Sequence, residues 1–201
     1  MTVRILHISD VHGLEEALRY ALTELAERER VDLVVFSGDL EVYGEGSLQS
    51  DKPLLAVSGN MDDHSIETML NRLGVNVGGR CVETAGIKVC GISGLYPSRD
   101  AVSLLAALGN QRVDVLVSHY PPRGTDVDRA YTGAHIGKSL VNEVIEAIRP
   151  KVCLCGHVHE ARGVCRLGST LVVNPGPLSM GYYAVVELQP LRVRLKRAGA
   201  P

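Results

Sequence analysis

Side chains of the kinds that bind metal ions follow five apolar stretches of this sequence. They are Asp10 and His12, Asp39, Asn60, His119, and His157 and His159. Residues two apart in an extended chain point the same way, so the first and last of these groups are chelating pairs. Imidazole, carboxylate and amide oxygen together suit Mn, Fe, Co, Ni or Zn better than Ca. The ligands are numerous enough for two ions that share one carboxylate.

The stretches that carry these side chains are predicted to be buried strands. They read VRILHIS, LVVFSGD, LLAVSGN, VDVLVSH and KVCLCGH, and IKVCGISG is a further strand without a ligand. Short apolar runs of this kind are typical of a covered parallel sheet. Ligands bind at the carboxyl ends of the strands in open α/β sheets. The sequence therefore predicts that these side chains meet at one edge of the fold.

Helical spacing separates several of these strands. Apolar residues recur at helical intervals between Leu14 and Leu25, and again in a segment that Asp62 or Asp63 can cap. We also expect a helix from about Arg99 to Leu108, capped by Ser98, and a helix near Lys138 that Pro150 stops. Strands alternating with helices at the start of the chain indicate a parallel core sheet.

The C-terminal part is predicted to be rich in strands. STLVVN, YYAVVEL and LRVRLK follow one another closely, which implies a second or mixed sheet packed against the first. We expect one domain over residues 1–201. An exposed apolar C-terminal strand could pair across a homodimer.

Composition excludes several classes of protein. The 201 residues are 45% hydrophobic and 22% charged, with a net charge of −2, which excludes a disordered chain and a strongly basic nucleic-acid binder. No apolar run approaches the roughly 18 residues that a membrane span needs. The N-terminal MTVRILHISD does not resemble a signal peptide, so we expect a cytoplasmic protein without a membrane partner.

The five cysteines support the same location. Their odd number in a chain without an export signal predicts reduced thiols. Cys153 and Cys155 could form a thiolate metal pair, but the interpretation we favour is two small hydrophobic residues on one face of a buried strand. A structural zinc site would need more than this one close pair.

A single polar residue after a strand is more often a turn residue than a ligand, but all five endings occur together here. Their order, D-x-H, G-D, G-N, a strand-terminal H and G-H-x-H, resembles the calcineurin-like metallophosphoesterases, and the blocks span Asp10 to His159. The segments from Ser118 to Leu140, CGHVHEARG and VVNPGP resemble small single-domain prokaryotic members, archaeal ones especially.

The resemblance implies an α/β sandwich of two mixed β-sheets flanked by helices, and two divalent ions, with Mn the first expectation and Fe, Ni, Co or Zn as alternatives. Asp10, His12 and His159 would hold one ion, and Asn60, His119 and His157 the other. Asp39 would bridge them. The implied reaction is hydrolysis of a phosphoester by a metal-bound hydroxide, and we assign the catalytic site to Asp39, Asn60, His119 and Asp62, the last orienting a ligand.

One position departs from the family pattern. The third block usually reads G-N-H, and this chain has Met61 in place of the histidine. The family histidine faces the phosphate and is assigned to the leaving group, so protonation of a poor leaving group is expected to be harder here. The departure favours a phosphodiesterase over a general monoesterase. His64 and His135 are weaker candidates for a replacement, and we expect His64 in an exposed first helical turn.

The substrate is expected to be a small phosphoester, nucleotide-like in type. The polar segment from Tyr120 to Lys138 is a candidate substrate loop, in which Arg123, Tyr131, His135 and Lys138 could contact a phosphate or a base, or could be solvated loop residues. Two alternatives stay open. One is a non-catalytic scaffold of the same fold, and the other is a nuclease of the same superfamily, although we do not expect nucleic acid as a partner.

Overall fold

A computed structural model describes residues 2–108 and 112–198 of the chain. These residues form eleven strands in two sheets. The strands are β1 (Arg4–Ile8), β2 (Leu33–Phe36), β3 (Leu54–Ala56), β4 (Cys81–Thr84), β5 (Ile87–Ile92), β6 (Val115–Ser118), β7 (Val152–Cys155), β8 (Gly163–Leu167), β9 (Thr170–Asn174), β10 (Tyr182–Leu188) and β11 (Leu191–Arg197).

Both sheets are mixed, as expected. The first has the order β11-β10-β1-β2-β3, in which β1, β2 and β3 are parallel and the two C-terminal strands are antiparallel. The second has the order β4-β5-β6-β7-β9-β8, with a parallel centre and an antiparallel strand at each edge. The fold is therefore an α/β sandwich of two mixed sheets.

Helices cover the outer face of each sheet. They are α1 (Glu15–Tyr20), which continues through a π-helical turn (Ala21–Leu25) into α2 (Ala26–Arg28), then α3 (His64–Arg72), α4 (Pro97–Leu108) and α5 (Ser139–Ile148). Short 3-10 turns cover Glu45–Leu48, Asp126–Asp128, His159–Ala161 and Leu178–Met180. No helix among the described residues has the length and apolarity that a bilayer span requires.

The alternation of side chains along each strand divides the core into three clusters. In β1, Ile5 faces the other sheet, whereas Leu6 and Ile8 pack against the helices. The second sheet repeats the pattern, because β5 sends Val89 inward and Cys90 outward. Packing on both faces explains why the central strands are continuous apolar runs, and it places their polar endings at the rim of the sandwich.

The first residues of α3 and α4 differ in how well the sequence predicts them. The carboxylate of Asp63 accepts the backbone N–H groups of Ser65 and Ile66 and so caps α3, as one of the two alternatives predicted. Helix α4 begins at Pro97, so the prediction of a Ser98 cap was wrong. Proline needs no hydrogen-bond acceptor for a backbone N–H and therefore suits the first helical position.

The five cysteines are one disulfide pair and three free thiols, Cys153, Cys155 and Cys165. Cys153 and Cys155 are fully buried hydrophobic residues in β7, as favoured, and burial raises the pKa of both thiols. Cys81 and Cys90 face each other across β4 and β5 and are joined by a disulfide. The prediction of reduced thiols was wrong for this pair, and the cytoplasmic location stays a prediction.

The C-terminal strand differs from the exposed apolar strand that we expected. β11 lies at a sheet edge and pairs with β10. Its apolar side chains, Leu191, Val193 and Leu195, are partly buried against the cluster between the sheets. The homodimer stays a prediction.

Candidate metal centre

Five parallel strands deliver the predicted ligands to one edge of the sandwich. Asp10, Asp39 and Asn60 follow β1, β2 and β3, and His119 and His157 follow β6 and β7 of the other sheet. The edges are bound together across the sheets, since the backbone N–H of His157 lies 3.2 Å from both carboxylate oxygens of Asp10. All five blocks named from the sequence therefore meet.

One group of ligand atoms comes from Asp10, His12 and His159. The Nε2 atoms of the two histidines lie 3.1 Å apart, and Oδ1 of Asp10 lies 3.3 Å from Nε2 of His159. Nδ1 of His12 lies 2.6 Å from Oε2 of Glu41. This carboxylate makes Nδ1 the protonated nitrogen and leaves Nε2 with a free lone pair.

A second group comes from Asp39, His119 and His157. Nδ1 of His119 donates to the carbonyl oxygen of Ser37 at 2.9 Å, which leaves Nε2 as the ring nitrogen that can face an ion. That atom lies 2.8 Å from Oδ1 of Asn60 and 3.6 Å from Oδ2 of Asp39. Asn60 therefore lies next to this group, and its role as a ligand stays a prediction.

Lone pairs that face one another fit a cation better than they fit each other. Nε2 of His119 faces the Asn60 oxygen in one group, and Nε2 of His12, Nε2 of His159 and Oδ1 of Asp10 converge in the other. A divalent ion between such atoms relieves the repulsion, and mixed nitrogen and oxygen donors suit the borderline transition metals. The residues present thus fit two ions.

Backbone strain is concentrated in the ligands. Asp10, His12, Asp39 and His157 all have positive φ angles, between 50° and 69°. Residues with a Cβ rarely adopt this left-handed conformation, and it persists at functional sites where the surrounding structure enforces it. The strained turns re-aim the side chains at the point where each strand ends.

Glycines make room for the ligands. A Cβ on Gly59 would collide with the carboxylate of Asp39, and one on Gly156 would come within 2.6 Å of Oδ2 of Asp10. A Cβ on Gly94 would lie 2.6 Å from the His119 ring. These close approaches give a physical reason for the glycines near three of the five ligand blocks.

Asp62 contacts the backbone of the site. Its buried carboxylate accepts the N–H groups of Asp39, Leu40, Glu41 and Gly59 at 2.7–3.1 Å. It ties the turn after β2 to the turn after β3 and is a positioning residue for Asp39. Met61 lies next to it, with its N–H 2.8 Å from Oδ1 of Asp39 and its side chain exposed.

The pKa shifts of two ligands favour the form that binds a cation. Burial lowers the pKa of His157 to about 4, so its ring is neutral at pH 7. Burial opposes ionisation of Asp10, but favourable interactions, the hydrogen bond to His159 first among them, outweigh it and lower the pKa of Asp10. Burial raises the pKa of Asp39, and a bound cation would favour its ionised form.

The other candidate residues lie around this centre or away from it. His64 is exposed in the first turn of α3, as expected. Nδ1 of His135 lies 2.6 Å from Oδ1 of the buried Asp128, and this ring is in neither ligand group. The side chain of Tyr131 is 91% exposed, as is typical of the solvated loop residue that we considered.

Sequence reasoning missed two residues at the centre. Glu41 contacts His12 although 29 positions separate them. The available signal was an acidic residue two positions after Asp39 of the G-D block. The ring of Tyr120 packs edge-on against the rings of His119 and His157, with centroids 5.2 Å and 4.6 Å apart. Its position next to the strand-terminal histidine was the available signal.

Solved structures with the same fold are similar to this chain over almost its whole length. A Thermus thermophilus protein superposes with a TM-score of 0.75 at 18% identity and covers 98% of this chain and 99% of its own. A dimetal phosphatase from Danio rerio gives 0.69 at 15% identity, covering 98% and 96%. A novel archaeal phosphodiesterase gives 0.62 at 18% identity, covering 98% and 100%.

Sequence comparisons agree with the fold. A Methanocaldococcus jannaschii protein is 28% identical over 204 aligned residues, which cover 90% of this chain and 91% of the relative. The family model described as metallophosphoesterase, calcineurin superfamily, matches residues 67–198. This range includes the strand-terminal His119 and the G-H-x-H block. The chain belongs to the calcineurin superfamily of metallophosphoesterases.

Proposed function

We propose that this chain, acting as one domain over residues 1–201, is a dinuclear metal-dependent phosphodiesterase. The observation that carries the proposal is the convergence of two ligand groups from five strand ends. Asp10, His12 and His159 would hold one ion, and Asn60, His119 and His157 the other, with Asp39 bridging. Two such ions supply a deprotonated water near neutral pH and polarise the phosphoryl oxygens.

The residues of the chain have separate tasks in this proposal. Glu41 and the Ser37 carbonyl set the tautomers of His12 and His119, and Asp62 fixes the turn that carries Asp39. Preorganisation of this kind lets charge on the phosphoryl group be stabilised without rearrangement of the site.

The preference for diesters rests on Met61. Its thioether has no proton to give to a leaving group, and its backbone is bound to Asp39 at the edge of the centre. Alcohol leaving groups of ordinary monoesters need such a proton more than activated aryl groups do. We therefore expect bis-p-nitrophenyl phosphate to be a better substrate than unactivated monoesters, with Mn²⁺ the first ion to test.

The proposal is tested by metal removal and by substitution. Protein stripped with EDTA is expected to regain hydrolysis of bis-p-nitrophenyl phosphate with Mn²⁺, Co²⁺, Ni²⁺, Fe²⁺ or Zn²⁺, and to bind two ions per chain. Asp39→Asn and His119→Ala should lose ion binding and at least about 100-fold in kcat. His64→Ala is the matched control and should still bind two ions, because His64 is exposed and outside both groups.

Wild-type turnover by Asp39→Asn would contradict the assignment of the site. Two bound ions without turnover of any diester or monoester would instead favour a scaffold of this fold, and turnover confined to DNA or RNA would favour a nuclease.

A further inference from the structure

Lys138 differs from the other lysines of the chain. Lys52, Lys88, Lys151 and Lys196 each lie within 3.5 Å of a carboxylate oxygen. Within the described residues, no carboxylate lies within 4.0 Å of the Lys138 ammonium group, which instead stands 4.7 Å from the centroid of the Tyr120 ring. The described part of the chain thus keeps one exposed ammonium group with no carboxylate partner near the candidate metal centre.

Tyr120 links this charge to the centre. The same ring that carries Lys138 packs edge-on against His157 and His119. Tyr120 therefore contacts both the ammonium group and a proposed metal ligand, His157. As a cation, the ammonium group would not bind a metal ion, but it would attract an anionic group of a phosphoester bound at the centre.

The backbone fixes the base of the Lys138 side chain. Its N–H donates to the carbonyl oxygen of Pro121 at 3.0 Å, directly after Tyr120. The fully buried Asp128 accepts the N–H groups of Gly124, Thr125 and Gly137 and so holds the loop between them closed. The position of Lys138 beside Tyr120 is thus set by the loop, although both ends of that loop are far apart in sequence.

We propose that Lys138, held over the Tyr120 ring beside His157, makes the protein selective for phosphoesters that carry a second anionic group. The ammonium group binds that second group while the scissile phosphate lies at the metal centre. The inference rests on the proposed function and adds to it a class of substrate. A hydrogen bond between a charged donor and an anionic oxygen is stronger than one between neutral groups. In the absence of such an anion, the exposed Lys138 ammonium group donates to water.

The test uses two chromogenic diesters that differ only in the second anion. They are thymidine 5′-(p-nitrophenyl phosphate) and the same compound with a 3′-phosphate. For Mn²⁺-loaded wild type we expect a KM about tenfold lower for the 3′-phosphorylated compound. Lys138→Gln should remove that difference by raising the KM of the 3′-phosphorylated compound.

Two further variants separate binding from structure. Lys138→Arg should keep most of the preference, because it retains the positive charge. Lys52→Gln is the control, since Lys52 pairs with Glu27 outside the substrate loop. A loss that affects both compounds equally in Lys138→Gln would mean a structural role and would overturn the proposal.

A binding measurement keeps the inference separate from catalysis. Calorimetric titration of the Mn²⁺-loaded protein with thymidine 3′,5′-bisphosphate and thymidine 5′-phosphate needs no turnover. We expect tighter binding of the bisphosphate to wild type and equal binding of both to Lys138→Gln. If no diester is hydrolysed, the proposed function fails. The ratio of the dissociation constants of the monophosphate and the bisphosphate still decides the role of Lys138. An unchanged ratio in the variant would refute it.

Discussion

At the scale of single residues, one side chain is expected to set the balance between diesters and monoesters. Met61 takes the place of the histidine in the family's third block and lies against Asp39 through its backbone N–H. Because the Met61 side chain is exposed, a histidine should fit without disturbing the core. Met61→His is therefore predicted to raise the hydrolysis of phenyl phosphate, an unactivated monoester, by about 10–100-fold.

The comparison of interest is the ratio of kcat/KM for phenyl phosphate and bis-p-nitrophenyl phosphate. Met61→Leu is the control, because leucine has a similar volume and also lacks a proton to donate. An equal ratio in the His and Leu variants, with two ions bound in each, would show that this position does not govern leaving-group protonation.

At the scale of structural elements, the site depends on how closely the strand ends approach. Gly156, in the turn after β7, lies directly against Ser9 and Asp10. A Cβ at this position would lie 2.6 Å from Oδ2 of Asp10 and 2.8 Å from Cβ of Ser9. Gly156→Ala is predicted to lower the free energy of unfolding by about 1–3 kcal/mol, the usual cost of overpacking. It should also weaken binding of the ion that Asp10 holds.

Gly46→Ala provides the matched control, since nothing lies within 4 Å of the added methyl group. Urea unfolding and Mn²⁺ titration of both variants measure the two effects. Equal stability and equal ion binding in Gly156→Ala and Gly46→Ala would mean that the turn after β7 can shift to accommodate the methyl group. Close packing of the strand ends would then not be needed for ion binding.

At the scale of the whole molecule, the central strands and the edge strands differ in how well the sequence predicts them. β1, β2, β6 and β7 are covered on both faces, so each is a continuous apolar run that ends in a ligand, and their positions could be predicted. Of the four edge strands, β3 and β11 were predicted, whereas β4 and β8 were missed. In β4 and β8, polar residues alternate with half-buried ones and leave no continuous apolar run.

The same contrast holds within the site. All seven proposed ligands carry a local signal, a polar residue directly after an apolar run. Glu41 and Tyr120 act through contacts that only the folded chain creates. The bond between Cys81 and Cys90 likewise depends on the register of β4 against β5, which the count of cysteines could not reveal.

The pH dependence of folding is also a property of the whole sandwich. His7 is fully buried in β1, where Nε2 lies 2.9 Å from Oγ of Ser37, and burial lowers its pKa to about 3. The unfolded chain binds a proton at this residue below about pH 6.5, and the folded chain does not until about pH 3. Stability from this group is therefore complete above pH 6.5 and is lost as the pH falls.

Urea unfolding of EDTA-treated protein at pH 7.5 and pH 5 should show this loss, and His7→Gln should reduce it. Glutamine can retain a hydrogen bond to Ser37 but does not titrate. The decrease between the two pH values is predicted to be about 2 kcal/mol smaller in the variant than in wild type. Comparing differences cancels any constant effect of the substitution. Equal decreases would show that His7 is protonated in the folded protein, and the core between the sheets would then have to admit a charge.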